Sequence, residues 1–133
     1  MNLMKKLGEL RNKISGKILF DEQLAKSSWL NIGGPAKILF KPESLNELSF
    51  FLKTINRELP VKVLGRGSNV LIRDGGYNGA VIRLGKAFSH ISLFKENTLI
   101  SGSSAMDKNV SNFALENSIS GFEFLSCIPG TIG

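Results

Sequence analysis

The chain has 133 residues, of which 42% are hydrophobic and 21% are charged, and its formal net charge is +6. This length suits one ordinary domain, and the composition is that of a globular protein without low-complexity tracts. Residues 1–16 are too charged for a secretory leader, and no apolar run is long enough to cross a bilayer. Cys127 is the single cysteine and cannot form an internal disulfide. We therefore expect a cytoplasmic protein without a membrane partner.

The amino-terminal stretch is rich in basic residues. They are Lys5, Lys6, Arg11, Lys13 and Lys17. Positive charge alone is compatible with nucleic acid, a membrane surface or an anionic small ligand. Because neither interleaved aromatic residues nor a nucleic-acid-binding module accompanies the charge, we predict no nucleic-acid partner.

Residues 1–23 are predicted to form a basic helix or docking arm. Apolar residues recur there at helical spacing, at Leu3, Leu7, Leu10 and Ile14. A polar stretch and a double-glycine turn at Gly33 and Gly34 then lead into a strand predicted over residues 36–40.

The clearest helix is predicted over residues 44–56. Ser44 and Glu47 have the spacing of a capping box, in which each side chain accepts a hydrogen bond from the other residue's backbone N–H. The expected apolar face consists of Leu45, Leu48, Leu52 and Ile55.

Short strands are predicted on both sides of this region and beyond it. They cover residues 61–64, 80–84, 91–94 and 98–101, with a hairpin turn at 95–97. A second helix over residues 107–117 has Asp107 as its predicted N-cap and Gly121 as its end, with Val110, Phe113 and Ala114 facing inward. This order of elements favours an α+β fold with a mixed sheet and flanking helices.

A glycine-rich loop follows the predicted strand at 61–64. It consists of Gly65, Arg66, Gly67, Ser68 and Asn69. Glycine allows positive φ and close approach, and successive N–H groups in such a loop can form a concave site for a phosphate or pyrophosphate. A simple turn between strands is the alternative interpretation.

Two well-known phosphate loops do not match. The Rossmann fingerprint needs glycine or alanine at the sixth position, where this chain has Val70. A P-loop needs Gly-Lys-Ser/Thr, which is absent from the sequence.

Four segments together resemble the amino-terminal part of the UDP-N-acetylenolpyruvoylglucosamine reductase family. The segments are Ser28–Ala36, Leu64–Leu71, Asp74–Gly79, and Gly121–Phe124 leading into Ile128–Gly133. The family has the FAD-binding fold of vanillyl-alcohol oxidase. The resemblance therefore implies an FAD-binding domain over residues 24–133, with a first subdomain to about residue 84 and an incomplete second subdomain over 85–133.

The same resemblance implies which residues hold FAD. The pyrophosphate would lie on Gly65–Asn69, and two further segments would line the cofactor. These are Gly102, Ser103 and Ala105, and the stretch containing Pro129, Gly130, Thr131 and Gly133. No catalytic residue and no metal ligand is expected in this chain, since the flavin supplies the redox chemistry.

In this family NADPH reduces FAD, and the reduced flavin then reduces the nucleotide-sugar substrate. The residues that assist this step are a serine, an arginine and a glutamate, which lie downstream of the Ile128–Gly133 segment. The apolar, glycine-bearing tail from Phe122 is unlike a solvated terminus, so we expect a truncated chain, inactive by itself, with a separate carboxyl-terminal chain as a possible partner. One alternative is a split or degraded gene product that binds flavin weakly or not at all and has no activity by itself. Another is a different FAD-dependent oxidoreductase of the same fold, such as an aldonolactone oxidase.

A few single residues remain open. Cys127 stands where the family pattern has glycine, which would strain the backbone if φ were positive there. Residues 101–105 carry more hydroxyl groups than the family pattern. Arg66 could contact a phosphate or point into solvent, Trp29 is interpreted as a core residue, and His90 as a residue at the surface or at a strand end.

Overall fold

The computed structural model describes residues 3–133, and the chain divides into two compact units, residues 1–84 and 85–133. The first two residues of the predicted arm therefore lie outside the described residues. Within the described part, no helix is long and apolar enough to span a membrane.

Unit 1 contains a four-stranded mixed sheet. Its strands are β1 (Lys17–Gln23), β2 (Pro35–Lys41), β3 (Val61–Val63) and β4 (Tyr77–Ile82), in the order β1-β2-β4-β3. β1 runs antiparallel to β2, whereas β2 and β3 both run parallel to β4. The mixed sheet that the sequence predicts is confirmed.

Two helices pack in unit 1, α1 (Leu3–Arg11) and α2 (Leu45–Ile55). The buried residues of the main core come from both helices and three strands: Leu7, Leu10, Ile18, Ile38, Phe40, Phe51, Ile55, Ala80 and Ile82. The rings of Phe40 and Phe51 stack with centroids 4.1 Å apart. Because Leu7 and Leu10 belong to this core, α1 is an integral part of unit 1, and residues 17–23 form a strand that the sequence analysis did not assign.

Helix α2 agrees with its prediction in position and differs in detail. Ser44 is the N-cap, and its hydroxyl accepts a hydrogen bond from the N–H of Glu47 at 3.2 Å. The apolar face is rotated from the predicted one: Phe51 and Ile55 are buried, whereas Leu45 and Leu52 are exposed. Phe51 replaces Leu52 on the inner face because the stacking partner Phe40 lies on that side.

The carboxylate of Glu47 makes different contacts from those of a capping box. It accepts hydrogen bonds from the N–H groups of Glu43 (2.9 Å), Ser15 (2.8 Å) and Gly16 (3.2 Å). The hydrogen bond from Glu43 is the main cause that holds the pKa of Glu47 below its ordinary value; partial burial opposes it, and the bonds from Ser15 and Gly16 support it. The residue therefore joins the chain before β1 to the start of α2.

Unit 2 contains an antiparallel hairpin and one helix. β5 (Ile91–Lys95) pairs with β6 (Thr98–Ser101), and α3 spans Asp107–Glu116. The predicted N-cap is wrong by one residue, since Met106 occupies that position without a side-chain hydrogen bond. The helix also ends before Gly121, because Asn117 is the C-cap and Ser118 adopts a φ of 57°.

The core of unit 2 is small. Its buried hydrophobic residues are Ala105, Val110, Ala114 and Ile119. Phe113, predicted to face inward, is only partly buried. A 3-10 segment, Glu123–Cys127, follows α3 and precedes the last predicted cofactor stretch.

Candidate cofactor site

The glycine loop begins where β3 ends, beside the end of β4. The N–H of Leu64 donates to the carbonyl of Ile82 at 2.9 Å, which fixes the start of the loop to the sheet. Parallel strands place their carboxyl ends at one edge of a sheet, and that edge is where ligands of open α/β sheets bind. The loop predicted from the sequence thus occupies a position suited to binding.

Gly67 is the buried residue of the loop. It adopts a φ of 72°, and a Cβ at this position would lie 2.0 Å from the carbonyl oxygen of Ser27. Its own carbonyl accepts a hydrogen bond from the N–H of Trp29 at 3.0 Å. The backbone of residues 27–29 therefore requires glycine here, a contact between segments 40 residues apart that was not predicted from the sequence.

Three residues of the loop, Gly65, Arg66 and Asn69, present free backbone hydrogen-bond donors. Gly65, Arg66 and Asn69 are exposed, and among the described residues their backbone N–H groups donate to no acceptor. No carboxylate of residues 3–133 forms an ion pair with Arg66. Unpaired N–H groups near an unpaired guanidinium, with no acidic residue in the loop, form a favourable environment for an anion.

The double glycine also serves close packing within unit 1. A Cβ at Gly34 would lie 1.8 Å from the carbonyl oxygen of Asp74, and the N–H of Gly34 donates to the carbonyl of Arg73 at 3.0 Å. Gly33 adopts a φ of 145°, and its carbonyl accepts from the N–H of Ala25. The double glycine and the segment at Asp74 are therefore adjacent in the fold although they are 40 residues apart in the sequence. Their spacing in the sequence does not predict this contact.

In unit 2 the structure brings the two other predicted cofactor segments together. The N–H of Gly133 donates to the carbonyl of Ser103 at 2.8 Å, and the N–H of Ile132 donates to that of Ala105 at 3.0 Å. Thr131 and Met106 form an antiparallel bridge next to these two hydrogen bonds. On the other side of the bridge, the N–H of Asp107 donates to the carbonyl of Gly130. Gly102–Ala105 and Gly130–Gly133 therefore lie in neighbouring segments, which a short ladder of backbone hydrogen bonds joins around one isolated bridge.

Glycine is needed in this ladder because its backbones lie close together. A Cβ at Gly133 would lie 2.7 Å from that of Ser103, and one at Gly102 would lie 2.0 Å from the carbonyl oxygen of Phe88. At Gly130 the nearest atom would be Oδ2 of Asp107, at 2.9 Å, and this aspartate is only 5% exposed. The segment is thus packed against the first turn of α3.

The structure shows where several of the singly predicted residues lie. Trp29 is 56% exposed, so its interpretation as a core residue is wrong. Cys127 is exposed and does not adopt positive φ, so the expected strain is absent at that position. His90 is exposed at the start of β5. Among residues 3–133, no group of three acidic, histidine or cysteine side chains could hold a metal ion.

Two residues that shape unit 1, Ser27 and Arg83, were not predicted from the sequence as site residues. Ser27 is 6% exposed, and its hydroxyl accepts a hydrogen bond from Nη1 of Arg83 at 2.9 Å. The polar pair Ser27-Ser28 before the double glycine was a visible signal, whereas Arg83 follows an apolar strand and carries no local signature.

Comparison with known proteins identifies the class of this chain. A family model described as FAD binding domain matches residues 36–133, and the chain belongs to this FAD-binding family. The α+β fold with a mixed sheet and flanking helices that was predicted for such a domain is confirmed.

The chain is similar to the amino-terminal portion of UDP-N-acetylenolpyruvoylglucosamine reductase, which confirms the resemblance seen in the sequence. It is 49% identical to the Pelagibacter ubique protein of that name over 98% of this chain and 43% of the relative. The Phenylobacterium zucineum protein is 48% identical over 90% of this chain and 40% of the relative.

A solved structure gives the same relationship. The crystal structure of UDP-N-acetylenolpyruvylglucosamine reductase from Thermus caldophilus superimposes with a TM-score of 0.66 at 29% identity, covering 90% of this chain and 40% of that one. The chain therefore spans about two fifths of the length of the curated relatives it matches.

Proposed function

We propose that this chain is the FAD-binding part of an NADPH-dependent reductase that converts UDP-N-acetylglucosamine enolpyruvate to UDP-N-acetylmuramate in peptidoglycan synthesis. The observation that carries the proposal is that the backbone N–H groups of Gly65, Arg66 and Asn69 are exposed and donate to no acceptor among the described residues, inside the range that matches the FAD-binding family. The names of the relatives support the choice of substrate. We place the protein in the cytoplasm, where nucleotide-sugar precursors are made.

The residues of unit 1 would hold the diphosphate of FAD. Backbone N–H groups of the loop would donate to phosphate oxygens, and Gly67 would keep the loop against residues 27–29. In unit 2 the ladder of Gly102–Ala105 with Pro129–Gly133 would present backbone groups and the hydroxyls of Ser103 and Thr131 to the cofactor. When bound, FAD supplies hydride transfer.

The catalytic step would need residues outside this chain. Neither Ser68, Ser103 nor Glu123 is proposed as a proton donor, because the resemblance assigns that role to a serine downstream of the Ile128–Gly133 segment. The chain's coverage of only 40–43% of its relatives supports the view that it has no reductase activity alone. A carboxyl-terminal chain would then complete the site, together with NADPH and the nucleotide sugar.

An absorbance spectrum of the purified chain tests the cofactor assignment. We expect the visible flavin bands after incubation with FAD and removal of the excess. A colourless chain under saturating FAD would contradict binding by these residues without a further partner.

A coupled assay tests the rest of the proposal. NADPH oxidation in the presence of the enolpyruvyl substrate should be absent for the chain alone and present when the missing portion is supplied. Turnover by the chain alone would show that its catalytic residues are present. If the completed protein consumes oxygen in place of reducing the enolpyruvyl substrate, the alternative of an oxidase with this fold is correct.

A further inference from the structure

Arg83 connects two segments that are distant in sequence. It is the first residue after β4, its backbone N–H donates to the carbonyl of Phe40 at 2.9 Å, and its guanidinium Nη1 donates to the hydroxyl of Ser27 at 2.9 Å. The residue is partly buried and Ser27 is 6% exposed, so this hydrogen bond is largely shielded from water. A charge-assisted hydrogen bond in such a position is among the stronger ones in a protein.

Ser27 in turn contacts the glycine loop. Its carbonyl oxygen occupies the space where Gly67 would carry a Cβ, and the N–H of Trp29 donates to the carbonyl of Gly67. The residue before Arg83 anchors the other end of the loop, since Ile82 accepts the N–H of Leu64. The end of β4 thus determines both the start of the loop and the segment against which Gly67 rests.

The charge of Arg83 is not neutralised by a carboxylate. Among the described residues, the ion pairs are Lys6 with Glu58 and Lys26 with Glu22. A guanidinium has five N–H donors, and Ser27 uses one of them. A partly buried cation without an acidic partner would otherwise be unfavourable here, and its hydrogen bond to Ser27 offsets part of that cost.

We propose that Arg83 is a positioning residue for the FAD diphosphate, acting through Ser27 on the Gly65–Asn69 loop. This inference rests on the proposed function, because it assumes that the loop binds the diphosphate. The Arg83 side chain keeps Ser27 in the position in which its carbonyl oxygen contacts Gly67. As a result, the loop N–H groups keep their direction.

The test compares Arg83→Met, Arg83→Lys, Ser27→Ala and the double variant Arg83→Met/Ser27→Ala in the same chain. FAD affinity is measured by flavin fluorescence at a temperature at which every variant is folded. Arg83→Met and Ser27→Ala should each weaken binding about tenfold, the usual effect of losing a hydrogen bond to a charged group. The double variant should be no weaker than the worse single variant, because both changes remove one interaction. Arg83→Lys keeps a donor and the charge, so it should recover most of the affinity.

Hydrogen exchange of the amides that hold the loop gives a second readout that needs no ligand. Arg83→Met should accelerate exchange at the N–H groups of Leu64 and Trp29, which donate to Ile82 and Gly67, and leave α2 unchanged. Arg11→Met removes the same charge from an exposed position on α1 and is the matched control. Unchanged loop exchange and unchanged FAD affinity in Arg83→Met would overturn the positioning role. If the parent chain binds no FAD, binding by these residues without a further partner is contradicted. Accelerated exchange alone would then show that Arg83 orders the loop without positioning a diphosphate, which overturns the inference as stated.

Discussion

Units 1 and 2 hold their candidate cofactor segments in different ways. In unit 1 the glycine loop is held by a close contact with Ser27 and by hydrogen bonds to single residues of neighbouring segments. In unit 2 two segments pair directly through successive backbone hydrogen bonds. Both arrangements require glycine where backbones approach closely. The loop also requires a residue that can adopt positive φ, at Gly67, so we expect it to tolerate substitution less well than the ladder.

The cores that support these segments also differ. Nine buried hydrophobic residues from both helices and three strands form the main cluster of unit 1. Unit 2 buries four hydrophobic residues, of which two are alanines, and exposes Leu115 and Phe124. Because burial of apolar area is the main stabilising term, unit 1 should be much the more stable unit.

The largest expected effect is that of Gly67→Val on FAD retention. A side chain at this position would overlap the carbonyl of Ser27 and would have to adopt a φ of 72°, which is unfavourable for a β-branched residue. We expect the variant to lose the visible flavin absorbance after gel filtration. Gly75→Val is the control, because a Cβ there meets no atom within 4 Å. Normal flavin stoichiometry in the Gly67 variant would reject the loop as the phosphate site.

Phe51→Ala tests the core of unit 1. The ring is fully buried and stacked on Phe40, so the free energy of unfolding should fall by about 3–5 kcal/mol in a denaturant titration. The adjacent Phe50 is 54% exposed, and its replacement by alanine should cost less than about 0.5 kcal/mol. Equal effects of the two variants would show that the face of α2 is assigned incorrectly.

Val110→Ala tests the smaller core of unit 2. Two carbon atoms are removed from a buried site, so we expect a loss of about 2 kcal/mol of stability. Hydrogen exchange should accelerate in α3 and remain unchanged in α2. Leu115→Ala changes a residue that is 77% exposed and serves as the control. Acceleration throughout both units would contradict the view that unit 2 rests on its own core.

Glu47→Gln should have the smallest effect, about 1 kcal/mol at neutral pH, because the lost charge-assisted hydrogen bonds are partly solvated. The pKa of Glu47 is lowered in the folded chain, so its ionised form stabilises the fold. That contribution is complete above the ordinary carboxyl pKa and is lost as the pH falls through the lowered value. The difference in stability between parent and variant should therefore shrink in acid, as measured by thermal unfolding at several pH values. Glu9→Gln, at an exposed position on α1, should leave the pH dependence as it is.

The elements predicted best are those defined by local chemistry. Helix α2 begins after Ser44 because a hydroxyl N-cap satisfies a free N–H, and the hairpin of β5 and β6 turns at residues 95–97 as expected. Strand β1 was not predicted because charged residues interrupt its apolar pattern and Asp21 adopts a φ of 50° within it. The choice between Phe51 and Leu52 for the inner face depended on Phe40, which lies on another element.

The candidate site shows the same division. The loop at Gly65–Asn69 could be predicted from its glycines and short polar side chains, because these act on the backbone of the residues that carry them. The absence of a Rossmann or P-loop pattern excluded two other kinds of phosphate loop. Three contacts of the candidate site are visible only in the folded chain. They are the contact of Gly67 with Ser27, the hydrogen bond from Arg83 to Ser27, and the pairing of Ser103 with Gly133. Each joins residues at least 30 positions apart, and packing of the whole sheet and its helices, which no local pattern encodes, determines which of them meet.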